Sequence, residues 1–172
     1  MLKIIGSFLI IICAGGFGFA FSNDYKTRLN ELNDIKKIMI MIKGEIRFSK
    51  IPLGEAFSNI SKRIDDKYYI FLENISDRLK KLNGESFYKI WEEEIDLNLT
   101  KLKLNSQDII NLKHFGENMG YLDNEMQIHS IDLYIEELEY EISKMTEQMA
   151  TNTKVFKCLG IMAGLFVVIM LI

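Results

Sequence analysis

Apolar side chains follow two patterns along this chain: unbroken at both ends and periodic in between. Residues 4–21 carry no ionisable side chain except Cys13, and residues 158–172 none except Cys158. At 1.5 Å per residue the first run reaches roughly 27 Å, close to the hydrocarbon thickness of a bilayer, about 30 Å. Adding Val155, Phe156 and a snorkelling Lys157 gives the second run a similar reach. The pattern predicts a transmembrane helix at 4–21, a helical domain at 24–154, and a second transmembrane helix at 155–172 that continues the last helix of the domain.

Between the runs the period is that of a helix. From about Asn23 to Phe48, Leu32, Ile35, Met39, Ile42 and Ile46 form one stripe. Ser49 to Ile51 then turn the chain, and Pro52, the only proline, suits the first turn of a second helix with Leu53, Ala56, Phe57, Ile60 and Ile64 on one face. A third helix, which Asp65 or Asp66 can cap, runs through Tyr69, Leu72, Ile75, Leu79 and Leu82 to Asn83-Gly84. Ser86 caps a fourth that buries Phe87, Ile90, Trp91 and Ile95, with Glu92, Glu93 and Glu94 on and around its outer side. Asn105 or Ser106 starts a fifth through Ile109, Leu112 and Phe115. The sixth begins near Asp123, where Ile128, Ile131, Ile135, Leu138, Ile142, Met145 and Met149 keep a heptad spacing with no breaker before the second apolar run. The expected fold is all-α: a six-helix bundle whose first and last helices pair antiparallel as a stem. A coiled coil between chains is the competing use of the heptad.

Charge sharpens this picture. Residues 24–82 carry a net +4 and residues 83–157 a net −8, within a total of −3. The two halves are expected to attract each other within the folded domain, the alternative being an acidic docking surface for a basic partner. Lys26, Arg28, Lys36 and Lys37 follow the first run and Lys154 and Lys157 precede the second, against Lys3 alone on the far side. Both ends therefore place the domain in the cytoplasm of a two-pass membrane protein. A cleaved secretory signal is the alternative for the first run, with Gly18-Phe19-Ala20 as small residues. A lone Lys3 makes a weak start for one, and Ile12 before Cys13 does not suit a lipoprotein site.

Catalytic chemistry finds little foothold. There is no Gly-rich loop ending in Lys-Ser or Lys-Thr, and the basic half has no Arg-rich stripe with aromatic stacking, so neither a nucleotide site nor nucleic acid is expected. His114 and His129, the only histidines, lack metal spacing, and the cysteines sit in the apolar runs. Neither a metal nor another cofactor is expected. Glu136, Glu137, Glu139 and Glu141 fall on the outer side of the heptad and read as a solvated face. A membrane-bound hydrolase would rest on exposed carboxylates alone.

Two glycine features remain. Gly160 and Gly164 form a GxxxG pair in the second run, and Ala14, Gly16, Gly18 and Ala20 are similarly spaced in the first, allowing close helix packing in a membrane. In the segment Phe115 to Asp123, Gly116 and Gly120 can end the fifth helix and bring backbones close. Asp123 caps the sixth, and Glu117 is expected at a tight junction, accepting from backbone N–H groups.

The segment Gly116-Glu117-x-x-Gly120-x-Leu122 resembles a signature of the type II secretion F domain, the helical repeat of inner-membrane platform proteins. Together with Met1-Leu2-Lys3, Pro52-Leu53-Gly54-Glu55-Ala56, Trp91 and Leu159 to Gly164, it makes the whole chain similar to the stage III sporulation protein AB family. The resemblance implies a bundle of that F domain type and a non-enzymatic assembly role in a secretion-like channel of endospore formation, in the mother-cell membrane around the forespore. It also implies contacts with other membrane components of the channel and with a separate cytoplasmic secretion-type ATPase. Phe115, Gly116, Glu117, Gly120, Leu122 and Asp123 become the expected partner contact, and Pro52, Leu53, Glu55 and Ala56 a family-like helix start. A membrane-tethered coiled-coil adaptor unrelated to secretion is the competing function.

Overall fold

In the computed structural model the described residues are 24–171, without Lys50, Asp65, Leu82, Tyr121 and Leu122; side chains are described within 24–149, without Asp66 and Asn118. They form six α-helices and no strand: α1 (24–44), α2 (Leu53–Ser61), α3 (Asp66–Lys80), α4 (Phe87–Asn98), α5 (Ser106–Met119) and α6 (Asn124–Leu171), with a π-helical turn at Glu45–Ser49 after α1. Among the described residues no helix is long and apolar enough to cross a membrane. The apolar run 4–21 and the side chains of the second run, with Gly160 and Gly164, lie outside them. The backbone of α6 continues without interruption through 48 residues, about 72 Å.

The stripe on α1 and the heptad on α6 meet within one chain. Leu32, Ile35, Met39 and Ile42 from α1 share a core with Ile131, Leu138 and Met145 from α6. The direction of pairing follows from the ion pairs: Arg28 reaches Glu141 (3.1 Å), Lys36 reaches Glu139 (3.6 Å) and Lys43 meets Asp132, so the two helices run antiparallel. The basic first half and the acidic second half thus attract each other inside the domain. Of the four glutamates at 136–141, Glu137 accepts from Asn111 while Glu139 and Glu141 engage these cations, so only part of that group is a simply solvated face.

Arg28 also ties α1 to α5. Its guanidinium forks onto Asp108 at 2.7 and 2.8 Å, and Asp108 accepts from the Asn105 backbone N–H (2.9 Å) while the Asn105 side chain accepts from that of Asp108 (2.7 Å). This reciprocal cap settles Asn105, rather than Ser106, as the start of α5. On the other flank, buried Glu31 accepts from the Tyr68 hydroxyl (2.7 Å) and from Lys67 (2.8 Å), joining α1 to α3.

Three placements differ from the sequence reading. Pro52 stands at the N-cap, one position before the first turn of α2, where its carbonyl accepts from the N–H groups of Glu55 and Ala56. Tyr69 is exposed and Tyr68 is buried, because the bond to Glu31 fixes the phase of α3. Glu94 is only 4% exposed, accepting from Asn74 (3.0 Å), Arg78 (3.2 Å) and Asn98 (3.0 Å) instead of facing outward. The expected caps of α3 and the stripe residue Leu82 lie outside the described residues, apart from the backbone of Asp66.

The core is centred on Trp91. Its ring lies 5.2 Å from Phe71, 5.6 Å from Phe87 and from Phe115, and 6.1 Å from Phe57, centroid to centroid, and its N–H donates to the Leu112 carbonyl at 2.7 Å. Phe115 continues the aromatic chain to Tyr134 at 5.2 Å, which joins α5 to α6. A Cβ on Gly116 would stand 2.3 Å from Trp91 Cδ1, so α4 and α5 approach as closely as they do only because position 116 has no side chain.

Gly116→Ala should therefore destabilise the domain by about 1–3 kcal/mol, the usual cost of forcing a methyl into a filled core, read as a lower urea midpoint. Burial first, then the charges of Glu137 and Asp108, raise the Tyr134 phenol above its ordinary 10.0. The native phenol keeps its proton where the unfolded one loses it, so its contribution is complete below pH 10.0 and is lost as pH rises beyond that. Urea midpoints should fall above that pH, and less steeply in Tyr134→Phe.

Candidate functional site

The glycines of the Phe115–Asp123 segment do more than end a helix. Gly116 lies inside α5, against the Trp91 ring, and Gly120 follows its last residue, where a Cβ would come within 3.0 Å of Phe87 Cβ. Four residues apart, they fall on one face and press α5 onto α4. Phe115 on the same side is buried in the aromatic core. Asp123 caps α6 as expected: its carboxylate accepts from the Met126 N–H at 2.9 Å and its carbonyl from the Gln127 N–H. Leu122 lies outside the described residues.

Glu117 is not at the junction. The helix turns it away from Trp91, 46% of its side chain is exposed, and its carboxylate meets His114 Nδ1 at 2.8 Å instead of capping backbone N–H groups. That imidazole is itself exposed, as is His129 at the start of α6. The pair is a surface contact one helical turn long.

Around Glu117 stands a polar face that α4 and α5 build together. Tyr88, Glu92 and Asp96 recur every four residues on α4, and Lys113 on α5 bridges Asp96 (2.8 Å) and Glu92 (3.6 Å). The hydrogen bond to Asp96 is the main reason that the Lys113 pKa is raised, so its ammonium stays charged. Partial burial, followed by the carboxylates of Glu92 and Glu117, raises that of the Tyr88 phenol. The face thus offers carboxylates, a fixed cation and a phenol hydroxyl on a backbone held rigid by Trp91 and Gly116. Tyr88 and Lys113 were not singled out from sequence, although the i, i+4 spacings Tyr88–Glu92–Asp96 and Lys113–Glu117 carry the signal.

The second segment of interest reaches the same core from another side. Pro52 and Leu53 open α2, Ala56 is fully buried, and the adjacent Phe57 stacks on Phe87 with centroids 6.1 Å apart. Glu55 points to solvent on α2 and is not part of the α4–α5 face. The two segments therefore share a packing centre, Trp91 with Phe87, rather than one polar surface.

Elsewhere, a groove of about 400 Å³ opens between α1, the start of α5 and α6, and includes Arg28, Asp108, Tyr134, Glu137, Glu141 and Lys144. Arg28, Asp108 and Glu141 are already bonded to one another there. Among the described residues no group of three or more His, Cys, Asp or Glu is arranged to hold a metal ion.

A family model described as Stage III sporulation protein AB matches residues 3–172. The chain is similar to Stage III sporulation protein AB of Bacillus subtilis (strain 168), with 28% identity over 171 residues, which cover 99% of each sequence. In three dimensions it is similar to a solved Stage III sporulation protein AB (SpoIIIAB), with a TM-score of 0.64 and 23% identity over 72% of this chain and 97% of that one, a likeness of fold. The family match takes in both apolar runs, the α2 start and the glycine-bearing end of α5, and on that full-length match the chain belongs to the stage III sporulation protein AB family.

Proposed function

We propose that this chain is a non-enzymatic platform of a secretion-like channel required for endospore formation. Membership of a sporulation family supplies the process. The platform role is supported by a small helical domain whose first and last helices pair and lead into apolar runs. On this reading the runs 4–21 and 155–172 are transmembrane helices, and the domain between them is a cytoplasmic bundle of type II secretion F domain type, held in the mother-cell membrane around the forespore.

The observation that carries the docking claim is the position of Glu117. It projects from a helix whose backbone is locked against Trp91, beside Glu92, Asp96, Tyr88 and Lys113. Such a face suits a partner with basic and hydrogen-bonding side chains, and a separate cytoplasmic secretion-type ATPase is its occupant in this proposal. The remaining membrane components of the channel contact the apolar runs. The adaptor reading needs the α6 heptad free for another chain, whereas Ile131, Leu138 and Met145 are buried against the chain's own core.

Glu117→Arg should lower capture of the co-expressed ATPase and the yield of heat-resistant spores by about tenfold or more, as reversal of an interface charge does. Its thermal stability should stay within about 0.5 kcal/mol of the parent, since the site is exposed. Unchanged capture and normal sporulation would sink the contact. For topology, protease added to intact cells should leave residues 24–154 uncut, and cleavage there would place the domain on the outside.

A further inference from the structure

Two exposed stripes on the stem are left over once the core and the α4–α5 face are accounted for. On α6, Met126, Leu133 and Tyr140 recur every seven residues and are 56, 54 and 70% exposed. They stand opposite the buried seam, so nothing in the domain's own packing requires them to be apolar. Exposed Glu125 and Glu136 flank them. On α1 and the π turn, Lys26, Lys37, Ile40, Arg47 and Phe48 mark the outer face, with Ile40 50% and Phe48 81% exposed. Beside Leu133 the first stripe carries exposed Glu136, with His129 and Lys144 further along it, and the second, among exposed Asn30 and Asn33, sets the cations Lys37 and Arg47 beside Ile40 and Phe48.

Their heights also agree. The ion pairs Lys43–Asp132 and Lys36–Glu139 set α1 against α6 so that Ile40 and Lys37 stand level, within about one helical turn, with Leu133 and Glu136. The π turn packs on α6, and carrying the antiparallel register on past Lys43–Asp132 brings Arg47 and Phe48 toward the level of Glu125 and Met126. Copies anchored in one membrane and related by rotation about its normal keep these heights. The α1 of one copy then meets the α6 of another in antiparallel sense, cation level with carboxylate and apolar side chain with apolar side chain.

We infer that the chain assembles with a second copy of itself through these two stripes, the outer face of α1 in one copy lying on the outer face of α6 in the other. The inference rests on the membrane anchoring described under Proposed function. Anchoring also raises the effective concentration, so a narrow interface suffices.

The test uses full-length chains carrying Cys13→Ser and Cys158→Ser, differently tagged and co-expressed in membranes, one with Ile40→Cys and the other with Leu133→Cys. A bismaleimide should join them roughly fivefold better than it joins Ile40→Cys to Met126→Cys, which lies about two turns off level. Adding Lys37→Glu to the first chain should cut the product by roughly two- to fivefold, and Glu136→Lys in the second should restore it. Equal yields at both levels, a Leu133→Cys homodimer as the main product, or no product at all would overturn the pairing. Carbonate extraction of the same membranes separates the two readings. Release of the chain counts against anchoring, whereas a retained chain without the cross-link counts against the pairing alone.

Discussion

The closeness of α4 to α5, made possible by a missing side chain at position 116, is the constraint on which the rest of the domain depends. Trp91 fills the space a Cβ would take, and its N–H satisfies the Leu112 carbonyl within the same apolar centre. Because the indole is anchored on both counts, it serves as a fixed surface for Phe57 of α2, Phe71 of α3 and Phe115 of α5, and through Phe115 for Tyr134 of α6. Five of the six helices are thus positioned relative to one ring. Aromatic pairs contribute about 0.5–1.5 kcal/mol each beyond the area they bury, so the arrangement is cohesive as well as geometrically specific.

The sixth element, α1, is held by charge and by the seam. Buried Glu31 with Tyr68 and Lys67 on one side, and Arg28 with Asp108 and Glu141 on the other, clasp it between α3 and the α5–α6 pair. Removing the partners of Glu31 or Asp108 would leave a buried charge uncompensated, so both groups bear directly on stability. The forked Arg28–Asp108 contact also doubles as part of the α5 cap, so the start of that helix and the placement of α1 are set by the same carboxylate.

Elements whose ends carry local chemistry were legible in the sequence. Ser86 and Asp123 cap the helices that the sequence assigns them, and the heptad lies on the seam with α1 from Ile128 to Met145. The sequence is ambiguous where a residue admits two uses. Tyr68 and Tyr69 are equally apolar neighbours, and only a distant carboxylate on α1 selects between them. Glu94 sits in a run of three glutamates, yet stands three and four residues from Trp91 and Ile90 on the buried face; the spacing announced its burial, while its partner Arg78 lies on another helix and had no local signature. Gly116 meets half of its expectation: it lies inside α5 instead of ending it, and the close approach it allows is to a ring 25 residues away in sequence. Because Gly116 takes the side facing that ring, its neighbour Glu117 faces solvent and pairs with His114 instead of capping the junction.

The unbroken backbone of α6 makes the domain a lever. From Asn124 to the start of the second apolar run the helix extends about 45 Å, with no glycine or proline in that stretch to absorb a bend. A tilt of about 5° in its lower end would move the upper end by roughly 4 Å, more than half a helical turn. The α4–α5 face rides on that upper body through Phe115 and Tyr134. A small rotation at one end of the rod is therefore a large translation at the other.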